Sequence, residues 1–306
     1  MRINRPALLA AALALPVVVA LTTRQPAPDF ADVAYARLSE RQTFDLYLPE
    51  GEGAFPLVIH IHGGGFREGD KGMLPRNIRR ALLARGIAVA TINYRLSGEA
   101  RFPAAIEDAK AAVRFLRANA ARYHLDPERF VAFGQSAGGN LASLIGTTGN
   151  AQVFDNPALG NPGVSDTVSA VIDWFGPNDF LQMDRQARAQ GCTPDHDAAD
   201  SFESEYLGAP VHSVPDKARA ANPITYIDAA DPPFLLQKGS EDCLVPVGQT
   251  TILAEALKQA GVPVEVDMFE GTGHGDTGFF SAPVFDGDAN AERVAAFAEA
   301  HLKKAR

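Results

Sequence analysis

Ser136 occupies a position that suits a nucleophile. It is the central residue of Gly134-Gln135-Ser136-Ala137-Gly138, which matches the G-x-S-x-G turn between a strand and a helix. The apolar residues 130–133 precede it, as expected for a buried strand, and small and apolar residues suited to a buried helix follow. Such a sharp turn requires flanking glycines and holds the serine in a strained conformation with its hydroxyl exposed. The pattern therefore predicts a nucleophilic serine.

A serine hydroxyl is a poor nucleophile until a base takes its proton and a carboxylate orients that base. Of the seven histidines, His274 lies in a glycine-containing loop after the last predicted strand, where such a base is needed. Asp242 directly follows the previous strand, one strand–helix–strand step before His274. Glu241 is the neighbouring alternative, but only one of two adjacent side chains can face the histidine. We predict a catalytic triad of Ser136, His274 and Asp242.

Residues 62–66, His-Gly-Gly-Gly-Phe, follow another predicted strand and could stabilise a developing negative charge. Consecutive glycines let backbone N–H groups approach a substrate carbonyl oxygen closely. We expect Gly64, Gly65 and Ala137 to donate these hydrogen bonds. A phosphate-binding loop is the alternative, but no Gly-Lys-Ser/Thr sequence follows. Candidates for the walls of the substrate pocket are Phe66, Trp174 and Tyr226, with core packing as the alternative for Trp174.

The elements that must position these residues alternate between strands and helices, which predicts an α/β fold with a mostly parallel sheet. In such sheets ligands bind at the carboxyl ends of the strands, where Ser136 falls. Residues 43–48 alternate as expected for an edge strand, residues 25–32 resemble a linker, and residues 177–226 interrupt the rhythm as a cap-like insertion. Further strands are expected at 57–61, 87–93, 168–174, 234–237 and 264–269, and helices at 77–85, 103–123, 247–260 and 289–303.

These motifs together resemble the α/β-hydrolase superfamily, and within it the esterases with an HGGG loop. The hormone-sensitive-lipase-like and the feruloyl-esterase-like branches are the most similar. The resemblance extends over roughly residues 40–302 and implies hydrolysis of carboxylic esters through the triad, with no cofactor and no metal. The expected substrates are small or carbohydrate-linked esters of acetyl, short acyl or feruloyl type. Gln237-Lys238-Gly239 departs from the His-Gly that relatives often carry.

Two alternatives to ester hydrolysis stay open on the same motifs. The HGGG loop does not exclude amides, so an aryl-formamidase, amidase or peptidase is the enzymatic alternative. A non-catalytic binding protein of the same fold is the other, and it is disfavoured because all three triad residue types are present. The net charge of −9 over 306 residues argues against nucleic acid or an anionic membrane as partner, since both attract a basic surface.

The N-terminus predicts export. Arg2 and Arg5 precede the apolar residues 7–21, a signal-peptide pattern that we place, with a short linker, at residues 1–24. A retained membrane anchor is the alternative, but it needs about 20 apolar residues. We expect a periplasmic or secreted protein, not stably associated with a membrane, whose residues 25–306 form one domain.

Export affects the interpretation of the two cysteines, because disulfides persist in oxidising compartments. Cys192 falls in the insertion, and Cys243 directly follows the predicted acid. We expect a Cys192–Cys243 disulfide that ties the acid's loop to the insertion; two unpaired thiols are the alternative.

Overall fold

A computed structural model describes residues 27–149, 151, 153–275 and 284–303. The strands of this part are β1 Phe30–Ala34, β2 Thr43–Tyr47, β3 Phe55–Ile61, β4 Ala88–Ile92, β5 Leu125–Gln135, β6 Ala170–Trp174, β7 Phe234–Gly239 and β8 Val264–Phe269. The α-helices are α1 Arg76–Ala84, α2 Ala104–Ala118, α3 Ala137–Thr148, α4 Phe180–Gln190, α5 Phe202–Leu207, α6 Pro215–Ala220, α7 Gly248–Ala260 and α8 Asp288–His301. Short 3-10 turns lie at Lys71–Met73, Ala120–Tyr123, Pro157–Leu159, Val211–Ser213 and Pro223–Tyr226.

The eight strands form one sheet in the order β1-β2-β4-β3-β5-β6-β7-β8. The pairs β1/β2 and β2/β4 are antiparallel, and all other neighbours are parallel. The prediction of a mostly parallel α/β sheet is therefore confirmed. Since β3 and β5 to β8 point in the same direction, the loops after them meet at one edge of the sheet.

Helices cover both faces of this sheet, as the alternating side chains of β5 illustrate. Phe130 and Ala132 pack on one side with residues of α2, α3 and α7. Val131 and Phe133 pack on the other side with residues of α1 and α8. Because both faces are buried, the central strands are mostly apolar rather than alternating between apolar and polar residues.

The prediction that residues 43–48 form an edge strand is wrong. β1 pairs outside β2, so residues 30–32, expected in a linker, belong to the sheet. The Asp29 N–H donates to the Leu46 carbonyl (2.8 Å), and the Phe30 ring packs edge-on against Tyr123. Strand pairing of this kind uses backbone groups, which every residue except proline carries, so side-chain alternation in β2 could not reveal the extra strand.

The turn between β5 and α3 brings backbone atoms unusually close together. A Cβ on Gly134 would lie 1.9 Å from the Gly138 carbonyl oxygen, and a Cβ on Gly138 would lie 2.0 Å from the Ile61 carbonyl oxygen. Ser136 between them has φ 55° and ψ −122°, a conformation that costs energy for any residue with a Cβ. The glycines therefore let the serine protrude from the end of β5 against the end of β3.

The segment between β6 and β7 carries α4, α5 and α6 and is tied to the loop after β7. Cys192, just beyond α4, forms a disulfide with Cys243, and their Cα atoms are 5.5 Å apart. The Gln190 side chain donates to the Asp242 carbonyl and accepts from the Val247 N–H, both at 2.9 Å. One covalent bond and two hydrogen bonds thus hold the insertion against the loop that carries the predicted acid.

The expected signal peptide, residues 1–24, lies outside the described residues. Within the described ranges, no helix is both long enough and apolar enough to cross a membrane.

Replacing Gly138 by alanine should destabilise the turn, because the new methyl group would overlap the Ile61 carbonyl. We expect a loss of about 1–3 kcal/mol in the free energy of unfolding. Activity should fall about a hundredfold, because small displacements of reacting groups are costly. Urea unfolding and initial rates measure the two effects. Gly98→Ala is the matched control, since nothing lies within 4 Å of a Cβ there; equal losses in both variants would contradict the prediction.

Removing the disulfide should lower stability, mainly because the unfolded chain gains freedom. The bridge closes a separation of 51 residues, for which chain entropy gives about 4 kcal/mol. Cys192→Ser/Cys243→Ser should therefore unfold at a clearly lower urea concentration than the wild type. Dithiothreitol should lower the wild-type midpoint towards that of the variant and leave the variant unchanged. A variant as stable as the oxidised wild type would exclude a stabilising bridge.

Candidate active site

Ser136, His274 and Asp242 form a chain of hydrogen bonds at the carboxyl edge of the sheet. His274 Nε2 lies 2.9 Å from Ser136 Oγ, and His274 Nδ1 lies 2.7 Å from Asp242 Oδ2. A carboxylate only accepts hydrogen bonds, so Nδ1 carries the proton and Nε2 is free to accept from the serine hydroxyl. The Phe175 ring packs against the imidazole, with centroids 4.6 Å apart. The structure thus brings the three predicted residues together in the order that proton transfer requires.

Four donors hold the Asp242 carboxylate in place. Oδ1 accepts from the backbone N–H groups of Leu244 (3.0 Å) and Val245 (2.9 Å). Oδ2 accepts from His274 and from the Lys238 ammonium group, at 2.5 Å. Asp242 is fully buried, which by itself would raise its pKa, but electrostatic attraction to and hydrogen bonds from His274 and Lys238 hold the pKa below its ordinary value. The carboxylate is therefore ionised and fixed in orientation. Glu241, the alternative acid, is exposed.

The glycine loop after β3 adopts conformations that favour glycine. Gly64 has φ +108° and Gly65 has φ +59°. A Cβ on Gly64 would lie 2.2 Å from the Glu68 carbonyl oxygen, and a Cβ on Gly65 would lie 2.1 Å from the Phe202 ring. Phe202 belongs to α5, so the insertion packs directly on this loop.

His62, which begins the loop, supports it. Its Nδ1–H donates to the Gly63 carbonyl (2.7 Å), and its ring stacks on Tyr94 with centroids 4.3 Å apart. The Tyr94 hydroxyl donates to the His62 carbonyl at 3.0 Å. Burial lowers the pKa of His62 to about 4, so the ring is neutral near pH 7. The environment of His62 suits a residue that shapes the loop.

A cavity of about 440 Å³ opens above Ser136. Gly64, Gly65 and Ala137, the expected oxyanion donors, line it together with Ser136 and His274. The insertion supplies a large part of the opposite wall, including several carboxylates. The remaining lining residues are Phe66, Glu68, Pro177, Asp195, His196, Ala198, Asp200, Ser201, Phe202, Glu203, Leu244, Val245 and Gly275.

Of the three expected pocket walls, Phe66 lines this cavity, and the other two are not among its described lining residues. Trp174 is buried on the far side of the sheet against Phe133 and Phe285. The Tyr226 hydroxyl donates to the Ala220 carbonyl (3.0 Å), and its ring packs on Phe154. For Trp174 the reason is that successive side chains of a strand point to opposite faces of the sheet. Trp174, the last residue of β6, therefore lies on the same buried face as Ala170 and Ile172. Core packing, the alternative for Trp174, is what the structure contains.

Sequence reasoning missed two groups of residues at the site. The first is the run 195–203, whose contribution to the cavity depends on how the insertion folds back. The second is Lys238, which is completely buried beside Asp242. A signal for Lys238 was present, because charged lysines are rarely buried without a partner and this one closely follows the apolar residues 234–236 of β7.

Curated proteins similar to this chain include several esterases. Esterase LipC of Mycobacterium tuberculosis is 30% identical over 223 residues, 72% of this chain and 53% of that protein. A probable isoprenylcysteine alpha-carbonyl methylesterase, ICMEL1 of Arabidopsis thaliana, is 28% identical over 77% of this chain and 49% of that protein. The chain therefore spans about half the length of the curated relatives it matches.

Among solved structures, a truncated carbohydrate esterase from gut microbiota is 30% identical with a TM-score of 0.78, covering 90% of this chain and 96% of the other. A bifunctional GH43-CE protein of Bacteroides eggerthii is 33% identical with a TM-score of 0.79, covering 89% of this chain and 38% of the other.

A family model provides the broadest classification. The BD-FAE model matches residues 44–257, a span that includes the glycine loop, the serine turn and Asp242. The arrangement of the sheet agrees with the α/β-hydrolase esterases among the solved structures. The chain therefore belongs to the BD-FAE family, an esterase family with the α/β-hydrolase fold.

Proposed function

We propose that this protein is a serine carboxylesterase that cleaves small or carbohydrate-linked esters through Ser136, His274 and Asp242. The observation that carries the proposal is the continuous hydrogen-bonded chain from Ser136 Oγ to Asp242 Oδ2 at the base of a cavity. A buried carboxylate, an imidazole and a hydroxyl in this order are the parts that acyl transfer needs. Membership of the BD-FAE family supports the same reaction class.

In the proposed reaction, His274 Nε2 removes the Ser136 proton as Oγ attacks the ester carbonyl. Asp242 keeps the Nδ1 proton in place and stabilises the imidazolium without taking that proton. The imidazolium then protonates the leaving alcohol, which departs and leaves an acyl-serine. Water, deprotonated by the same nitrogen, attacks the acyl group and restores the free serine.

Negative charge develops on the carbonyl oxygen in each tetrahedral intermediate. The backbone N–H groups of Gly64, Gly65 and Ala137 are the proposed donors to this oxygen. Their presence in the same cavity wall as Ser136 supports that role, as does the position of Ala137 in the first turn of α3, where helix N–H groups lack partners within the helix. Such a donor typically contributes about 3 kcal/mol to stabilising the transition state.

The charged residues that line the cavity favour some substrates over others. The carboxylate residues Glu68, Asp195, Asp200 and Glu203 line it. Carboxylates accept hydrogen bonds from hydroxyl groups and repel anions. We therefore propose neutral, hydroxyl-bearing esters, such as acylated sugars, in preference to anionic ones. Similarity to a carbohydrate esterase supports this choice. The Cys192–Cys243 disulfide supports the expectation of export.

Ser136→Ala should abolish hydrolysis of p-nitrophenyl acetate, because it removes the hydroxyl that His274 Nε2 contacts. We expect the rate to fall by several orders of magnitude while circular dichroism and urea unfolding stay close to the wild type. Equal activity in both proteins would refute the assignment of Ser136. If both proteins are inert to esters but the wild type cleaves aryl formamides, the amidase alternative replaces the esterase proposal.

Asp242→Asn should lower kcat about 10⁴-fold, since an amide in place of the carboxylate favours the wrong imidazole tautomer. Glu241→Gln is the matched control: it makes the same chemical change at the neighbouring, exposed position and should keep near wild-type activity. Initial rates with p-nitrophenyl acetate measure both. A large loss in Glu241→Gln with little loss in Asp242→Asn would reassign the acid.

A further inference from the structure

Lys238 carries a charge beside the proposed triad that the proposed reaction does not use. It is the fifth residue of β7, and its side chain is completely buried. Its ammonium group donates to Asp242 Oδ2 at 2.5 Å and also donates to the Val245 carbonyl. Burial of a lysine ammonium is costly unless it is paired and hydrogen-bonded. The position of the pair beside the imidazole calls for a functional explanation.

Lys238 and His274 share one acceptor, the Oδ2 oxygen of Asp242. Asp242 Oδ2 accepts from Lys238 and from His274 at the same time, at 2.5 Å and 2.7 Å. The two groups, when both are charged, therefore place two positive charges on one carboxylate oxygen. With Lys238 charged, the carboxylate is already neutralised before the imidazole takes a proton. A protonated His274 then adds a net positive charge to a buried cluster, which is unfavourable in a medium of low polarity.

We propose that Lys238 is a positioning residue that holds Asp242 and opposes protonation of His274, extending activity towards lower pH. The inference rests on the proposed triad, because it concerns the base of that triad. The electrostatic effect follows from geometry: a positive charge bound to the same carboxylate oxygen weakens the attraction between that carboxylate and an imidazolium. The base therefore stays unprotonated, and competent to accept the serine proton, in more acidic solution.

The other charged groups near the pair do not remove this effect. Burial lowers the pKa of Lys238, whereas Asp242 and, on β6, Asp173 favour its charged form. Asp173 is itself held by Ser143 Oγ (2.9 Å) and the Gly176 N–H (2.7 Å). Among the described residues, the ionisable groups that line the cavity with His274 are Glu68, Asp195, His196, Asp200 and Glu203. These groups are present both in the wild type and in the Lys238 variants. Their effect on His274 therefore does not contribute to a difference between the two.

The test is the pH dependence of kcat/KM in variants that remove the charge. Lys238→Met keeps the length and apolar volume of the side chain, and Lys238→Gln keeps a hydrogen-bond donor without charge. We expect the acid limb of the profile to move to higher pH in both, by about one unit. The ratio of variant to wild-type activity should therefore fall as the pH is lowered. Lost packing alone would lower activity equally at all pH values.

Lys110 offers a matched control. It is also fully buried, lies on α2, and pairs with Asp155 (3.3 Å) and Asp166 (3.5 Å), none of which lines the cavity. Lys110→Met removes a buried ammonium as Lys238→Met does, so it should lower stability without moving the acid limb. An unmoved acid limb in both Lys238 variants would overturn the proposal. An equal shift in Lys110→Met would overturn it too.

A second readout keeps the inference separate from the proposed reaction. In the Ser136→Ala background, proton NMR follows the ring resonances of His274, assigned by comparison with His274→Gln. The midpoint of this titration should move to higher pH when Lys238→Met or Lys238→Gln is added. Retained ester hydrolysis by Ser136→Ala would count against the proposed triad alone. An unchanged NMR midpoint would count against the role of Lys238 alone.

Discussion

The carboxylate of Asp242 is the point at which the structure's separate parts are connected. Its two oxygens accept from the end of β7 through Lys238, from the following loop through Leu244 and Val245, and from the loop after β8 through His274. A buried anion needs this many donors, since burial without them would favour the neutral acid. The same arrangement that keeps Asp242 ionised also fixes the direction of the imidazole. Stability and the proposed chemistry therefore depend on one set of hydrogen bonds.

The parallel sheet brings Ser136, Asp242 and His274 close together. Because β5, β7 and β8 run in the same direction, the serine turn and the loops bearing Asp242 and His274 emerge at the same edge. Close approach of the turn to β3, through Gly138 and the Ile61 carbonyl, sets the serine beside the glycine loop. The strained backbone of Ser136 is tolerated because packed elements on both sides determine it. Small residues at this junction are a geometric requirement of the site.

The insertion between β6 and β7 forms one wall of the cavity and is held to both the glycine loop and the loop of Asp242. Phe202 packs on Gly65, and the guanidinium of Arg67 lies 4.1 Å from the centre of the Phe202 ring. The disulfide and Gln190 attach the other end of the insertion to the loop of Asp242. Contacts to both the glycine loop and the acid loop restrict how far this wall can move. The shape and charge of the cavity are thus coupled to the residues proposed to react.

Local patterns in the sequence predicted the parallel strands, the turn at Ser136 and the grouping of Ser136, His274 and Asp242 at one edge of the sheet. Each of these leaves a short-range signal: an apolar run, a glycine spacing, or a polar residue directly after a strand. Contacts between distant parts of the chain leave no such signal, and only the tertiary structure decided them. Pairing of β1 outside β2 uses backbone groups. Both faces of β6 are buried, so its alternation alone does not show on which face Trp174 lies; the pairing of β6 with β5 and β7 decides that. Lys238 acquires its partner only when the chain after β7 turns back over it, because a buried charge is defined by its surroundings and not by its neighbours in sequence.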